Sequence, residues 1–301
     1  MQNKTRTALI AYAFLAPALI LLAVFTFYPV IYGSYLGFTE YKAAQFAAGE
    51  APRFIGIQNF ITLFQDELFI TGLWNSVKYI AIVPALQVAA LAIAVAVNRK
   101  LPFMGFFRAA YYIPVITSIA TAAVMWDWVF QKEGILNWVL QSLHFINSNS
   151  AFGWLNNEYT AIWALMLVTF WRGFGFYMVL YMGGLQAVPA EVEEAANLDG
   201  ATPFQTFWLV IVPMMRPTLL LCSLLSTFAA IRVLDEPLTF TPGGGPLNST
   251  YTALMYVYQK AFNGFNFDYG VASAAGLIIA VVGIGLSIVQ FRLNREGEER
   301  A

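Results

Sequence analysis

Charge is scarce in this sequence, and histidine and cysteine are nearly absent. Of its 301 residues 11% are Asp, Glu, Lys or Arg, where an ordinary soluble domain carries roughly a quarter. A water-soluble surface of normal composition is thereby excluded. With one cysteine, Cys222, and one histidine, His144, there is neither an internal disulfide nor a set of soft and imidazole ligands for a metal ion. Cys222 lies in an apolar run and reads as a small core residue; His144 reads as a loop residue. The formal net charge is -1, with Lys and Arg in small groups rather than on one face, which gives no footing for nucleic acid. No phosphate-binding loop of the form Gly-x-x-x-x-Gly-Lys-Ser/Thr occurs, so the chain is not expected to hydrolyse ATP by itself. Scattered carboxylates supply no acid-base constellation for an intramembrane enzyme.

What the sequence has is apolar length. Hydrophobic residues make up 59% and the mean hydropathy is +0.64, so an all-α integral membrane protein is expected. Six stretches suffice to span a bilayer, at about 11–33, 79–98, 109–130, 161–185, 213–234 and 269–291. The N-terminus has the basic start of a signal peptide, but its uncharged run exceeds an h-region of roughly 7–15 residues, and it reads as a retained first span. Pro17, Pro29, Pro84 and Pro114 suggest kinks. Phe60, Leu63, Phe64, Leu68 and Phe69 form a helical apolar stripe expected along the outer interface. Lys4 and Arg6, then Arg99, Lys100 and Arg108, then Arg292, Arg295 and Arg300 fall on one side if the spans are six, which predicts both termini in the cytoplasm.

One polar stretch, "EEAANLDGATPFQTFWLVIVP" at 193–213, interrupts this apolar sequence. Span counting puts the loop 186–212 on the cytoplasmic face; its carboxylates, which count little toward topology, do not overrule that. Pro189 reads as a residue just inside a helix start, with Glu191, Glu193 and Glu194 in the early turns, favoured by the helix dipole. Gly200 is placed to end that helix in the left-handed conformation. Thr202 and Pro203 read as N-cap and first position of a second helix, rooted in span five. An ordinary capped surface helix would have the same features.

The stretch resembles the cytoplasmic signature of the transmembrane subunits of binding-protein-dependent ABC importers: Glu-Ala-Ala, three residues, Gly, nine residues, Ile-x-Leu-Pro. Here it reads Glu194-Ala195-Ala196, Gly200, and Val210-Ile211-Val212-Pro213, and "LDGA" at 198–201 resembles the sugar-importer branch. "FIGIQNFITLF" (54–64), "FRAAYYIPVITSIATAAVMWDWVF" (107–130), "TPGGGPLNST" (241–250) and "FDYGVASAAG" (267–276) extend the likeness to the maltose-type first permease subunit over nearly the whole chain. The resemblance implies a type I ABC importer permease fold, one transmembrane domain over 1–301, with Glu194, Ala195, Ala196, Asp199, Gly200 and Pro213 in a coupling helix that docks on the ATPase. It further implies a second homologous permease and two copies of an ATPase subunit, which binds the ATP and Mg; this chain binds no cofactor. A periplasmic or lipid-anchored solute-binding protein, lipid and a mono- or oligosaccharide or related polyol complete the partners, in a bacterial or archaeal cytoplasmic membrane.

Arg172 is the one ionisable residue near the middle of a span and is expected on the substrate path with Trp171, Tyr177 and Asp127, donors and rings suiting a polyol. Alternatively Arg172 pairs with a carboxylate such as Asp127 and locks two helices. Trp126, Arg232, Asp235 and Glu236 read as interface residues at outer span ends. Gly243, Gly244, Gly245 and Pro246 form either a flexible turn or a contact for the solute-binding protein. A glycerol phosphate importer would share this architecture, but a phosphate dianion calls for several convergent cations, and a single one sits at mid-membrane.

Overall fold

The computed structural model describes residues 2–98, 102–147, 152–262 and 267–299. Arg99, Lys100 and Arg300, and the side chains of Lys4, Arg6 and Arg295, on which the expected orientation leans, lie outside what is described. In chain order the elements are α1 (Gln2–Leu22), α2 (Tyr28–Leu36), β1 (Thr39–Glu40), α3 (Ala43–Ala47), β2 (Arg53–Phe54), α4 (Gln58–Gln65), α5 (Glu67–Tyr79) and α6 (Ile82–Val97). There follow α7 (Met104–Ile116), α8 (Ile119–Phe130), α9 (Ile135–Ser142), α10 (Ala161–Gln186), α11 (Ala190–Leu198), α12 (Pro203–Thr206) and α13 (Val212–Met214). The last four are α14 (Arg216–Ile231), α15 (Asp235–Phe240), α16 (Ala253–Phe262) and α17 (Tyr269–Glu299).

Among the described residues five helical stretches are long and apolar enough to cross a membrane: Thr7–Leu36, Glu67–Val97, Ala161–Gln186, Arg216–Phe240 and Tyr269–Asn294. A bilayer offers no water to backbone amides, so spanning segments are helical. The sixth expected span, 109–130, is not a straight helix. Met104–Ile116 and the helices from Ile119 to Ser142 meet at 98°. Thr117 and Ser118 are extended there, and their hydroxyls cap the two helix ends: Thr117 Oγ1 donates at 2.8 Å to the Ile113 carbonyl, which also accepts the Thr117 amide at 3.1 Å, and Ser118 Oγ accepts from the Thr121 amide at 3.3 Å. Side-chain oxygens thus close the ends of the two helices at the bend.

Two prolines act in the same way. Pro29 and Pro213 are each preceded by a wide π-turn, Ala23–Phe27 and Phe207–Ile211, in which the amide just before the proline reaches five residues back, Tyr28 to Ala23 and Val212 to Phe207. A proline ring collides with the carbonyl four residues earlier, and widening the turn relieves it. Pro17 sits inside α1 without interrupting it.

The chain divides into two compact units, Met1–Asp66 with Val257–Ile278, and Glu67–Tyr256 with Ile279–Ala301. In the first, β1 and β2 pair antiparallel, and the buried Asn59 side chain donates to the carbonyls of Gly37 (3.0 Å) and Thr39 (2.8 Å). The expected stripe from Phe60 to Phe69 is not one helix: Asp66 is extended, separating α4 from α5, and Leu63 and Phe69 are fully buried while Phe64 is exposed.

The second unit packs α6, α7 and α14 on α10. Its core joins Leu86, Ala90 and Ala94 of α6 to Tyr177, Met178 and Tyr181 of α10 and Cys222 of α14. Small residues permit close approach; a Cβ on Gly175 would run into the Tyr111 carbonyl of α7. A polar chain threads the same core: Tyr181 donates to Gln87, whose amide donates to Ser226 Oγ at 2.7 Å and to the Cys222 carbonyl at 3.2 Å.

Candidate coupling loop and solute cavity

After α10 the chain turns at Pro189, which is the N-cap of α11 rather than its first residue: its φ of -62° and ψ of 136° are not helical. Glu191 and Glu193 occupy the first turn, where backbone amides favour negative charge. Val192 and Ala196, one turn apart, are half-buried as α11 packs on α12 and the π-turn, while Glu194, Ala195 and Asp199 are exposed. Asp199 caps the end, and Gly200 adopts the left-handed conformation, φ +80°. The Gly200 amide donates to Asn197 O (3.1 Å) and that of Ala201 to Ala196 O (3.0 Å), a Schellman closure. Thr202 then opens α12 with a full capping box to Gln205, and Pro203 follows at the first helical position. Pro213 lies three residues before Arg216, where α14 begins. Leu198 and Phe204 flank the glycine turn at 89% and 72% exposure. Leu198 was not singled out from sequence, though a lone leucine in an acidic helix is the visible signal.

Arg172 lines a cavity of about 430 Å³ with Thr169 of its own helix, Arg232 at the end of α14, and Asp235 and Glu236 of α15. Arg232 and Leu234 leave helical geometry, and α15 restarts with both carboxylates in its first turn. Glu236 is thereby turned inward: Arg172 Nη1 donates to its Oε1 at 3.0 Å, the two side chains 24% and 8% exposed. The partner of Arg172 is therefore Glu236, not Asp127. Asp127, on α8 beyond the bend, is exposed, accepts from Gln131 Nε2 at 3.2 Å, and borders two other cavities of about 290 and 280 Å³. Arg172 Nε is buried without an acceptor among the described residues. Trp171 stands edge-on to Trp126, ring centroids 5.7 Å apart, and Tyr177 is in the core, so neither joins Arg172 in its cavity.

The loop after α15 is a hydrogen-bonded turn. Gly243, Gly244 and Gly245 have φ of +89°, +100° and +70°, and a Cβ on Gly244 would press on the Tyr251 ring. Thr250 N donates to Gly244 O at 2.9 Å, and Asn75 Nδ2 of α5 holds the carbonyls of Asn248 (3.1 Å) and Tyr251 (2.9 Å). Ser76 Oγ accepts from the Ala253 amide at 3.0 Å. After Pro246, Leu247 and Asn248 adopt the left-handed region, φ +50° and +59°, and Leu247 projects at 80% exposure.

Residues 88–296 match the family described as binding-protein-dependent transport system inner membrane component. The chain belongs to that family. This permease is 30% identical over 286 residues to a lactose transport system permease protein of Rhizobium radiobacter, covering 94% of this chain and 93% of that one. It is 31% identical over 289 residues to a multiple sugar-binding transport system permease protein of Streptococcus mutans serotype c, covering 95% and 96%. The permease fold also matches the crystal structure of a bacterial ABC transporter involved in the import of the acidic polysaccharide alginate, with a TM-score of 0.77, 20% identity and 98% of each chain covered. The type I ABC importer permease fold expected from sequence is therefore present, in an inner-membrane transport component with several membrane-spanning helices.

Proposed function

We propose that this chain is the single-domain, channel-forming subunit of a sugar importer, pairing with a second permease above two separate ATPase chains that bind ATP and Mg. The observation that carries the reading is the α11 helix, its left-handed Gly200 closure and the capped helix leading through Pro213 into α14. A rigid helix held at both ends transmits a displacement, and the exposed Leu198 and Phe204 give a partner apolar surface to grip. In this reading the ATPase takes up Glu194 to Gly200, and ATP-driven closure tilts α14. Both termini face the cytoplasm, and the ordered turn at Gly243–Pro246 meets the solute-binding protein. The sugar passes the Arg172 cavity, with Asp127 bordering the outer approach, while Trp171 and Tyr177 hold α10 against its neighbours. Relatives named for lactose and multiple sugars support a mono- or oligosaccharide or related polyol. A glycerol phosphate importer is not favoured, because the guanidinium at mid-membrane is already matched by Glu236.

The test is co-purification of the ATPase with the complete transporter carrying Glu194→Lys. Loss of the ATPase, or of turnover stimulated by the binding protein, is expected. Full assembly with full stimulated turnover would reduce α11 to a surface helix.

A further inference from the structure

The cavity between α10, α14 and α15 gathers two cations, Arg172 and Arg232, and two carboxylates, Asp235 and Glu236, beside the hydroxyl of Thr169. Its formal charge sums to zero. Arg172 and Glu236 are the inner pair, bonded at 3.0 Å, while Arg232 and Asp235 are exposed. Holding α10 to α15 does not by itself call for charge, since apolar residues of similar volume serve as well or better. What the pair does impose is an electrostatic condition on any solute entering. A sugar hydroxyl can accept from Arg172 and donate to Glu236 at no Coulombic cost. A sugar carboxylate finds the guanidinium already balanced and a fixed anion beside it, and in a partly dehydrated cavity that repulsion is poorly screened. Selectivity by an introduced repulsive group is a general device.

We propose that Glu236 sets the charge selectivity of this cavity: it keeps Arg172 as a hydrogen-bond donor to uncharged sugars and rejects sugars bearing carboxylates. The proposal rests on the reading that the cavity lies on the solute path.

The experiment uses the assembled transporter in lipid nanodiscs and a trigalacturonate as probe, titrated against wild type, Glu236→Gln, Arg172→Gln and the double variant. Glu236→Gln keeps the shape and the acceptor oxygen and is expected to bind trigalacturonate at least tenfold more tightly than wild type. The gain should disappear in the double variant. Thr169→Lys, which adds a cation to the lining and leaves the pair intact, is expected to gain at least fivefold and serves if Glu236→Gln fails to assemble. No gain in an assembled variant, or a gain that survives loss of Arg172, overturns the proposal. Ala229→Cys, on the cavity wall, tests the path separately by labelling with a membrane-impermeant maleimide, wild type with its buried Cys222 being the blank. Labelling without any uronate gain removes the charge proposal alone; absence of labelling with and without ATP removes the path reading beneath it.

Discussion

Replacing Gly200 isolates the turn on which the coupling reading depends. Its φ is +80°, and a Cβ built there meets nothing within 4 Å. A substitution therefore strains the backbone without a clash. Alanine forced into the left-handed region costs about 1–2 kcal/mol, a factor of roughly 5–30 in the fraction of molecules with the closure intact. Asparagine tolerates that region better and should cost less. Proline should cost most, because it cannot adopt the angle and also deletes the 3.1 Å bond from the Gly200 amide to Asn197. Hydrogen exchange of the segment 190–206 in the assembled transporter reads the opening, and retention of the ATPase reads the consequence. The expected order of damage is asparagine, alanine, proline. Equal damage from asparagine and proline, or exchange in Gly200→Ala identical to wild type, would mean that the left-handed angle at Gly200 does not hold the turn.

Three further outcomes follow from the packing. Gly175→Ala should cost about 1–3 kcal/mol by overpacking against the Tyr111 carbonyl, seen as a lower melting temperature, whereas Gly183→Ala, with nothing within 4 Å, should not lower it. A double-mutant cycle of Tyr181→Phe and Gln87→Leu should return a coupling of about 0.6 kcal/mol and no more than about 1.7, the range for hydrogen bonds between membrane helices; zero coupling would deny the bond. Asn75→Ala strips the donor from two loop carbonyls, at about 1–3 kcal/mol for a buried one left unpaired. Faster hydrogen exchange confined to 241–252 is expected, and an unchanged loop would count against this tether.

Features that depend on neighbouring residues were legible in the sequence. The apolar runs, the Gly200 closure and the Thr202 N-cap are each written within a few residues. The break in the third span was not, because Thr117 and Ser118 are only mildly polar and the nearby Pro114 marks a kink without locating it; α7 continues to Ile116. Glu236 was misread as an interface residue because its pairing spans 64 positions and depends on where α15 restarts. Tyr177 was grouped with Arg172 by proximity in sequence, yet five residues along a helix amount to about 140° around its axis, which puts the ring in the core. The glycines at 243–245 were recognisable as a turn, but not Asn75, whose bonds to the Asn248 and Tyr251 carbonyls of that loop span 173 and 176 positions.

The π-turn at Phe207–Ile211 holds one residue more than an α-helical turn would need. Removing one residue from it would let the helix close normally, while turning everything on its N-terminal side by about 100° and drawing it in by about 1.5 Å relative to α14. Leu198, Phe204 and the carboxylates of α11 would then present a different bearing to whatever lies below the membrane. The nine residues between Gly200 and Val210 thus work as a phase setting, in which Pro213, by keeping the turn wide, fixes the compass direction of the helix that the ATPase is proposed to grip.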